Sequence, residues 1–422
     1  MQQSTQSIHP FLRSYKARQL EKMKENLTGK TSLSVKEYNK IALEPLYQQV
    51  NSPTSENLIY DDAGFCSKII NKNTSSKKYF SGVSLYGGYF RKVWGHFLFG
   101  TLGRLWPLTD KDFLSKIDNI VFFISKSERM KLDGNYLEIM QLLGIDNKIV
   151  IVENEIVEFE KLLIPDISFE HDSFNSKQCC NLFDYIIEKV LEEHTVGNLS
   201  RKIFFTRTKL KNASSNEINL SVFNDFFRNN GYEIISPESL SIKELIKLLA
   251  ETKKFVSISG SCAHNIVFAT KNVNREVIII ERHAWNNTFQ ANINMMRDIN
   301  AIHVDAHWMP KLSSSSGPVF LYGPTPQFMK FVQHYGLKNT VFPESEKSKR
   351  NGLRKYLTRY RRYFGHAEKV GFWEIDSAKN MVEAIIETRN YYSTWLINKQ
   401  PIVWYDYLSP RFYIRLIKKL KQ

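Results

Sequence analysis

Cysteine is scarce in this 422-residue chain, and the four present, Cys66, Cys179, Cys180 and Cys262, form no C-x-x-C pair. Adjacent Cys179 and Cys180 make a poor disulfide framework, so the set argues against covalent stapling and structural zinc and for a reducing cytoplasm. Long apolar runs are missing too. None approaches the roughly 20 residues that cross a bilayer, and the first 27 residues hold no apolar core of the signal-peptide kind. We therefore expect a cytoplasmic protein. There is no internal repeat, and the four serines at 313–316 are the only compositionally simple stretch.

Positive charge is abundant, with a net value of +15, and it is unevenly placed. Residues 347–363 carry eight Lys or Arg and no acid, and 411–421 add five more, so the basicity belongs mainly to the C-terminal part. Tyr356, Tyr360, Tyr363, Phe364, Phe412 and Tyr413 are interleaved with these charges. A helix of this kind can lie on an anionic membrane surface, with Arg354, Lys355, Arg359, Arg361, Arg362, Lys418 and Lys419 against lipid phosphates. RNA binding uses the same ingredients, and a solvated helical face is the plainer alternative.

The length suits two domains and an extension. Residues 119–125 read as a buried strand, 136–143 as a helix closed by Gly144, and 148–152 as the next strand. After an acidic helix at 182–193, a second series follows: strands at 202–206, 232–235, 255–259 and 277–281, with helices at 222–230 and 241–251. This alternation predicts an α/β fold of two facing Rossmann-like domains with a cleft between them. The expected boundaries are a loosely attached polar lead-in at 1–57, a first domain at 58–195, a second at 196–312 and a helical basic extension at 313–422.

The sequence FVSISGSCAHN at 255–265 has a β-rich run that stops at Gly260 before small polar residues. It predicts a strand, a tight turn and a helix N-terminus, where free N–H groups can hold an anion such as phosphate. Gly260 would let a ligand approach the backbone, Ser261 would cap the helix, and His264 and Asn265 would add polar reach. An ordinary α/β connection with a capping serine is the alternative.

Four segments together match a known pattern: YGGYFRKVWGHFLFGTLGRLW at 86–106, KLLIP at 161–165, KIFFTRTKLKNASSNEIN at 202–219, and 231–269 with its GYEIISPESLS and GSCAHN stretches. On these the chain resembles bacterial members of glycosyltransferase family 61, of the kind associated with capsular and related surface polysaccharides. The resemblance implies a GT-B architecture with the nucleotide-sugar donor, expected to be UDP-linked, held mainly by the C-terminal domain. It also implies inversion at the anomeric carbon without an obligatory metal or other cofactor. Where many relatives carry an acid after the aromatic stretch, this chain has Gly100.

An inverting transfer needs a base at the acceptor hydroxyl and positive potential on the leaving diphosphate. His96 is the expected base, because an imidazole titrates near neutral pH; a core histidine is the alternative. Arg207, just past the strand at 202–206, is expected at the sheet edge where α/β folds bind ligands, paired with a phosphate and supported by Lys209 and Lys211. The donor set is completed by Gly260, Ser261, His264, Asn265 and Glu281, the last as an acceptor for ribose hydroxyls or, with Arg282, a surface ion pair. Cys262 is a packing residue on this reading. Arg104 is either a structural partner or a donor contact. The HVDAH stretch of His303, Asp305 and His307 is not expected to hold a metal. Together these expectations describe a glycosyltransferase peripheral to the inner face of the cytoplasmic membrane, with a saccharide acceptor and no nucleic-acid partner. A catalytically silent nucleotide- or polysaccharide-binding component, suggested by Gly100, and an RNA-binding protein built on the basic tail are the other readings.

Overall fold

The computed structural model describes residues 9–12, 14–46, 57–61, 66–70, 78–124, 131–153, 155–210, 217–271, 273–282, 287–307, 320–339 and 341–342, with Gly352 and Lys355 beyond them. The chain is of the α/β class. In its second half five parallel strands stand in the spatial order Glu233–Ile235, Arg201–Phe205, Thr252–Ile258, Glu276–Glu281, Ile302–Asp305. Counted along the chain this is the doubly wound order 2-1-3-4-5, and the winding reverses between Arg201–Phe205 and Thr252–Ile258. The loops after those two strands diverge and leave a crevice at the carboxyl edge, where ligands of open α/β sheets bind.

The strands are apolar on both faces because both faces are covered. Phe204, Val256, Ile258, Ile278 and Ile280 pack with Phe223, Phe227 and Phe328 from helices Leu220–Asn229 and Pro326–His334. The alternate side chains, Ile203, Phe205, Phe255 and Ile279, pack with Leu245 and Leu249 of helix Ile242–Ala250. A capping box fixes where that helix starts: Ser241 Oγ accepts the Glu244 N–H at 3.1 Å, and the Glu244 carboxylate accepts the Ser241 N–H at 2.8 Å.

The first half is built on a seven-stranded sheet. Val157–Pro165, Lys78–Tyr89, Asn119–Ile124 and Ile149–Glu153 run parallel, and of these Asn119–Ile124 and Ile149–Glu153 are the two strands that the sequence predicts. Val35–Leu46, Cys66–Ile70 and Leu58–Tyr60 then extend the sheet antiparallel, so it is mixed and not a wholly parallel Rossmann sheet.

Three expected boundaries are corrected. The lead-in is integral: Val35–Leu46 sits inside the sheet, and helix Ser14–Asn26 packs on helix Thr288–Met296. Lys16 on that helix is fully buried, with Nζ 2.6 Å from Asp305 Oδ1 and 4.0 Å from Glu281 Oε2. Beyond 312, Phe320–Leu321 pairs with Glu217–Ile218, and helix Pro326–His334 is part of the second core. Residue 195 is no break in packing either, because one apolar core runs from Leu85 and Phe122 through Phe183 and Ile186 of helix Lys177–Leu191 to Ile203 and Ile279.

Candidate active site

A cavity of about 370 Å³ opens where the two sheets end. Each wall follows the carboxyl end of a parallel strand. Trp94 comes after Lys78–Tyr89, Asp133 and Tyr136 after Asn119–Ile124, Arg207 after Arg201–Phe205, Glu238 after Glu233–Ile235, and Ser261 and Asn265 after Thr252–Ile258. Topology therefore brings residues about 170 positions apart to one hollow: Trp94 Nε1 donates to Asn265 Oδ1 at 2.8 Å across a separation of 171. Asn265 Nδ2 in turn donates to Cys262 O at 2.9 Å, so this side chain locks the two walls together.

Arg207 lines the cavity, and behind it stand buried Arg282 and the buried carboxylate of Glu217. Arg207 Nε and Arg282 Nη1 each lie 3.1 Å from Oε1 of buried Glu217. Tyr322 OH donates to the other oxygen at 3.0 Å. Burial holds the Tyr322 phenol well above its ordinary range, so it remains a donor. Arg282 lies 4.1 Å over the Phe320 ring, and burial, followed by repulsion from Arg207, lowers its pKa. Two guanidinium groups thus share one buried carboxylate, and Arg207 also faces the Glu238 carboxylate in the cavity wall. A partly exposed guanidinium such as that of Arg207 can pair with an anion entering the cavity.

Gly260 is the hinge of this cluster. Its φ of +107° and ψ of −164° are essentially restricted to glycine. A Cβ there would stand 2.6 Å from Arg282 Nη2 and 3.5 Å from Arg207 Nη1. The missing side chain is what allows the Arg282 guanidinium to close on the turn, whereas Arg207 stands at ordinary contact distance.

The anion turn differs from expectation in its details. The helix after Gly260 spans only Ser261–His264 before a tighter turn at Asn265–Phe268, so its dipole is small and the arginines supply the charge. Gly260 itself is the capping residue, and Ser261 makes no cap bond; its side chain lines the cavity. Cys262 is a packing residue: burial pushes its thiol up to about 12. His264 is buried behind the turn, with Nδ1 2.9 Å from Gln290 Oε1 and its ring stacked on Phe289. Burial brings its pKa down to about 4, so it is neutral at physiological pH.

Other expected residues lie elsewhere. His96 is half-buried on the short helix Trp94–His96, edge-on to Phe289 at 6.1 Å, and is not part of the cavity wall. Gly100 sits in the wide turn Phe97–Thr101 that follows. Glu281 is neither a cavity residue nor half of a surface pair with Arg282. It is fully buried, bonded to His303 Nδ1 at 2.8 Å, and belongs with Lys16, Asp305 and His307 to a charge network that anchors the N-terminal helix. The HVDAH side chains thus serve docking. Arg104 is structural, with Nε 2.8 Å from Asp61 Oδ1. Lys209 is exposed on the loop beyond Arg207; Lys211, Arg354, Arg359, Arg361, Arg362, Lys418 and Lys419 lie outside the described residues, and Lys355 is exposed.

Glu217, Asp133 and Glu238 escaped the sequence reading as site residues, although Glu217 and Glu238 fall within the quoted Asn-Glu and Pro-Glu stretches. The fold and site thus define a doubly wound α/β protein with an arginine-bearing cavity at its switch point. The glycosyltransferase 61 family model matches residues 94–278, and over that span the chain is similar to this family. Of the cavity residues named above all lie within the match, whereas Arg282 falls just beyond it. No curated protein matches the chain.

Proposed function

We propose that the protein transfers a sugar from a nucleoside-diphosphate donor, UDP-linked, to a capsular or other surface-polysaccharide acceptor of a bacterium, with inversion at the anomeric carbon and without a metal. The observation that carries this reading is the Arg207 guanidinium lining a cavity of ligand size at the switch point, beside Gly260 and backed by Arg282, which shares Glu217 with it. The diphosphate sits against Arg207 and Arg282, whose charge stabilises the leaving group as a divalent cation does in other transferases. The two sheets facing one cavity are in keeping with a GT-B division into donor and acceptor halves. No helix among the described residues is long and apolar enough to cross a membrane. The basic, aromatic-rich segments at 347–363 and 411–421 support peripheral contact with the inner face of the cytoplasmic membrane, where lipid-linked acceptors are made.

The reading is tested by thermal shift of the full chain against UDP, GDP and CMP. One nucleotide should raise the melting temperature, with about 2.7 kcal/mol of stabilisation at a hundredfold excess over Kd. Arg207→Ala should lose the response and His96→Ala should keep it. A wild-type chain indifferent to all three nucleotides would sink the proposal.

A further inference from the structure

A second hollow, of about 600 Å³, adjoins the first. One wall is helix Gly134–Leu142, through Asn135, Glu138 and Gln141; the other is the segment Ser239, Leu240, Ser241 and Lys243. The two walls are tied at the base. Glu138 accepts the N–H groups of Ile242 at 2.8 Å and Lys243 at 3.2 Å, and Asn135 Nδ2 donates to Leu240 O at 2.9 Å. These ties fix the width of the groove without filling it. Beside Leu142 and Leu240, its polar groups are amide, hydroxyl, carboxylate and the Lys243 ammonium, the chemistry that hydrogen-bonds sugar hydroxyls, and Tyr136 and Trp94 line the adjoining first cavity.

Gly134, Asn135 and Glu238 are the described residues common to both hollows. Of these, only Glu238 can accept a proton. Asp133, the neighbouring acid in the first cavity, is held in an ion pair by Lys92. Resting on the transferase reading above, we infer that the second hollow is the acceptor channel for a saccharide chain and that Glu238, at its inner end, is the catalytic base. The acceptor hydroxyl oxygen forms a bond to the anomeric carbon as that carbon's bond to the diphosphate oxygen breaks. The hydroxyl proton passes to the Glu238 carboxylate, and the electron pair of the broken bond leaves on the nucleoside diphosphate facing Arg207 and Arg282. A single displacement of this kind inverts the anomeric centre.

The surroundings of Glu238 suit the task. From its own half it faces Arg207, Lys209 and Glu217, with Lys243 further along the groove; from the first half come Glu138 and the Asp133–Lys92 pair. Partial burial raises its pKa above the ordinary carboxylate value and Glu217 adds to this, while a backbone hydrogen bond, Arg207 and Lys209 oppose it. A base with a raised pKa is the better proton acceptor, and it loses function as pH falls through that pKa.

The test has two arms, both on the full chain. In the first, binding to an array of defined neutral and acidic oligosaccharides is measured for wild type, Ser239→Trp and Gln141→Trp, two exposed positions on opposite walls where a large ring should block the groove without touching the core. Both variants should lose glycan binding at least tenfold and keep the wild-type nucleotide thermal shift. Unchanged glycan binding in both, or no glycan bound by a wild-type chain that does respond to nucleotide, overturns the channel. In the second arm, turnover is followed with the bound oligosaccharide and the sugar conjugate of the stabilising nucleotide. Glu238→Gln should lower kcat about 100-fold or more, with KM for both substrates within a few-fold of wild type. It should also flatten the acidic limb of the wild-type kcat/KM profile, while Asp133→Asn should retain that limb. A Glu238→Gln enzyme with wild-type kcat, or one whose acidic limb persists, refutes the base assignment. Failure of the transferase reading is distinguishable, since it appears as the absence of any nucleotide response in the wild type.

Discussion

At the scale of single residues the site depends on an atom that is absent. Gly260 accepts a backbone conformation closed to other residues and leaves room for Arg282 Nη2, which would stand 2.6 Å from a Cβ. Gly260→Ala combines backbone strain of about 1–3 kcal/mol with displacement of a guanidinium group. The variant should unfold at lower urea concentration than wild type and lose its nucleotide-induced thermal shift. A variant that binds nucleotide as wild type does would show that the arginines need not converge on the turn. The turn itself is legible in the sequence, since a glycine followed by small polar residues after an apolar run is a local signal. The partners of Arg282 are not legible. Its carboxylate, Glu217, lies 65 residues away, and no local pattern distinguishes that pair from the adjacent Glu281–Arg282 pair that the structure separates.

At the scale of elements the N-terminal helix and the strand Val35–Leu46 carry the main departures from expectation. The strand reads VKEYNKIALEPL, with only three buried residues, so its apolar alternation is faint. It owes its place to pairing on both sides, with Val157–Pro165 and Cys66–Ile70. The helix Ser14–Asn26 is anchored by a charge that sequence reading assigns to solvent. Lys16 is buried against Asp305 and Glu281, and its replacement by methionine keeps the volume while leaving two buried carboxylates short of a cation. Lys16→Met should cost about 3–5 kcal/mol, read as a lower urea midpoint with an unchanged slope. A midpoint equal to wild type would show that the network contributes no net stability. By contrast, helix Ile242–Ala250 and strand Asn119–Ile124 fall within a residue of the expected 241–251 and 119–125, and strand Thr252–Ile258 overlaps the expected 255–259 but starts three residues earlier.

At the scale of the whole molecule the two sheets share one core through helix Lys177–Leu191. Because neither half can unfold without exposing that shared core, calorimetry should show one transition with a ratio of calorimetric to van't Hoff enthalpy near one. Two separable transitions would mean that the halves are energetically independent. The same continuity holds the cavity walls at fixed separation, with Trp94 to Asn265 and Glu138 to the 242–243 amides as the ties. The sequence by itself determined the α/β class, the alternation of strands and helices in the second half and the glycine turn, because period-two and helical patterns and glycine's conformational freedom act within a few residues. Only the tertiary structure decided that Arg282 joins Arg207, that Glu238 stands where two hollows meet, and that Lys16 is buried. Each of these depends on contacts between chain positions tens to hundreds of residues apart, which the packing of the two sheets creates and no local propensity encodes.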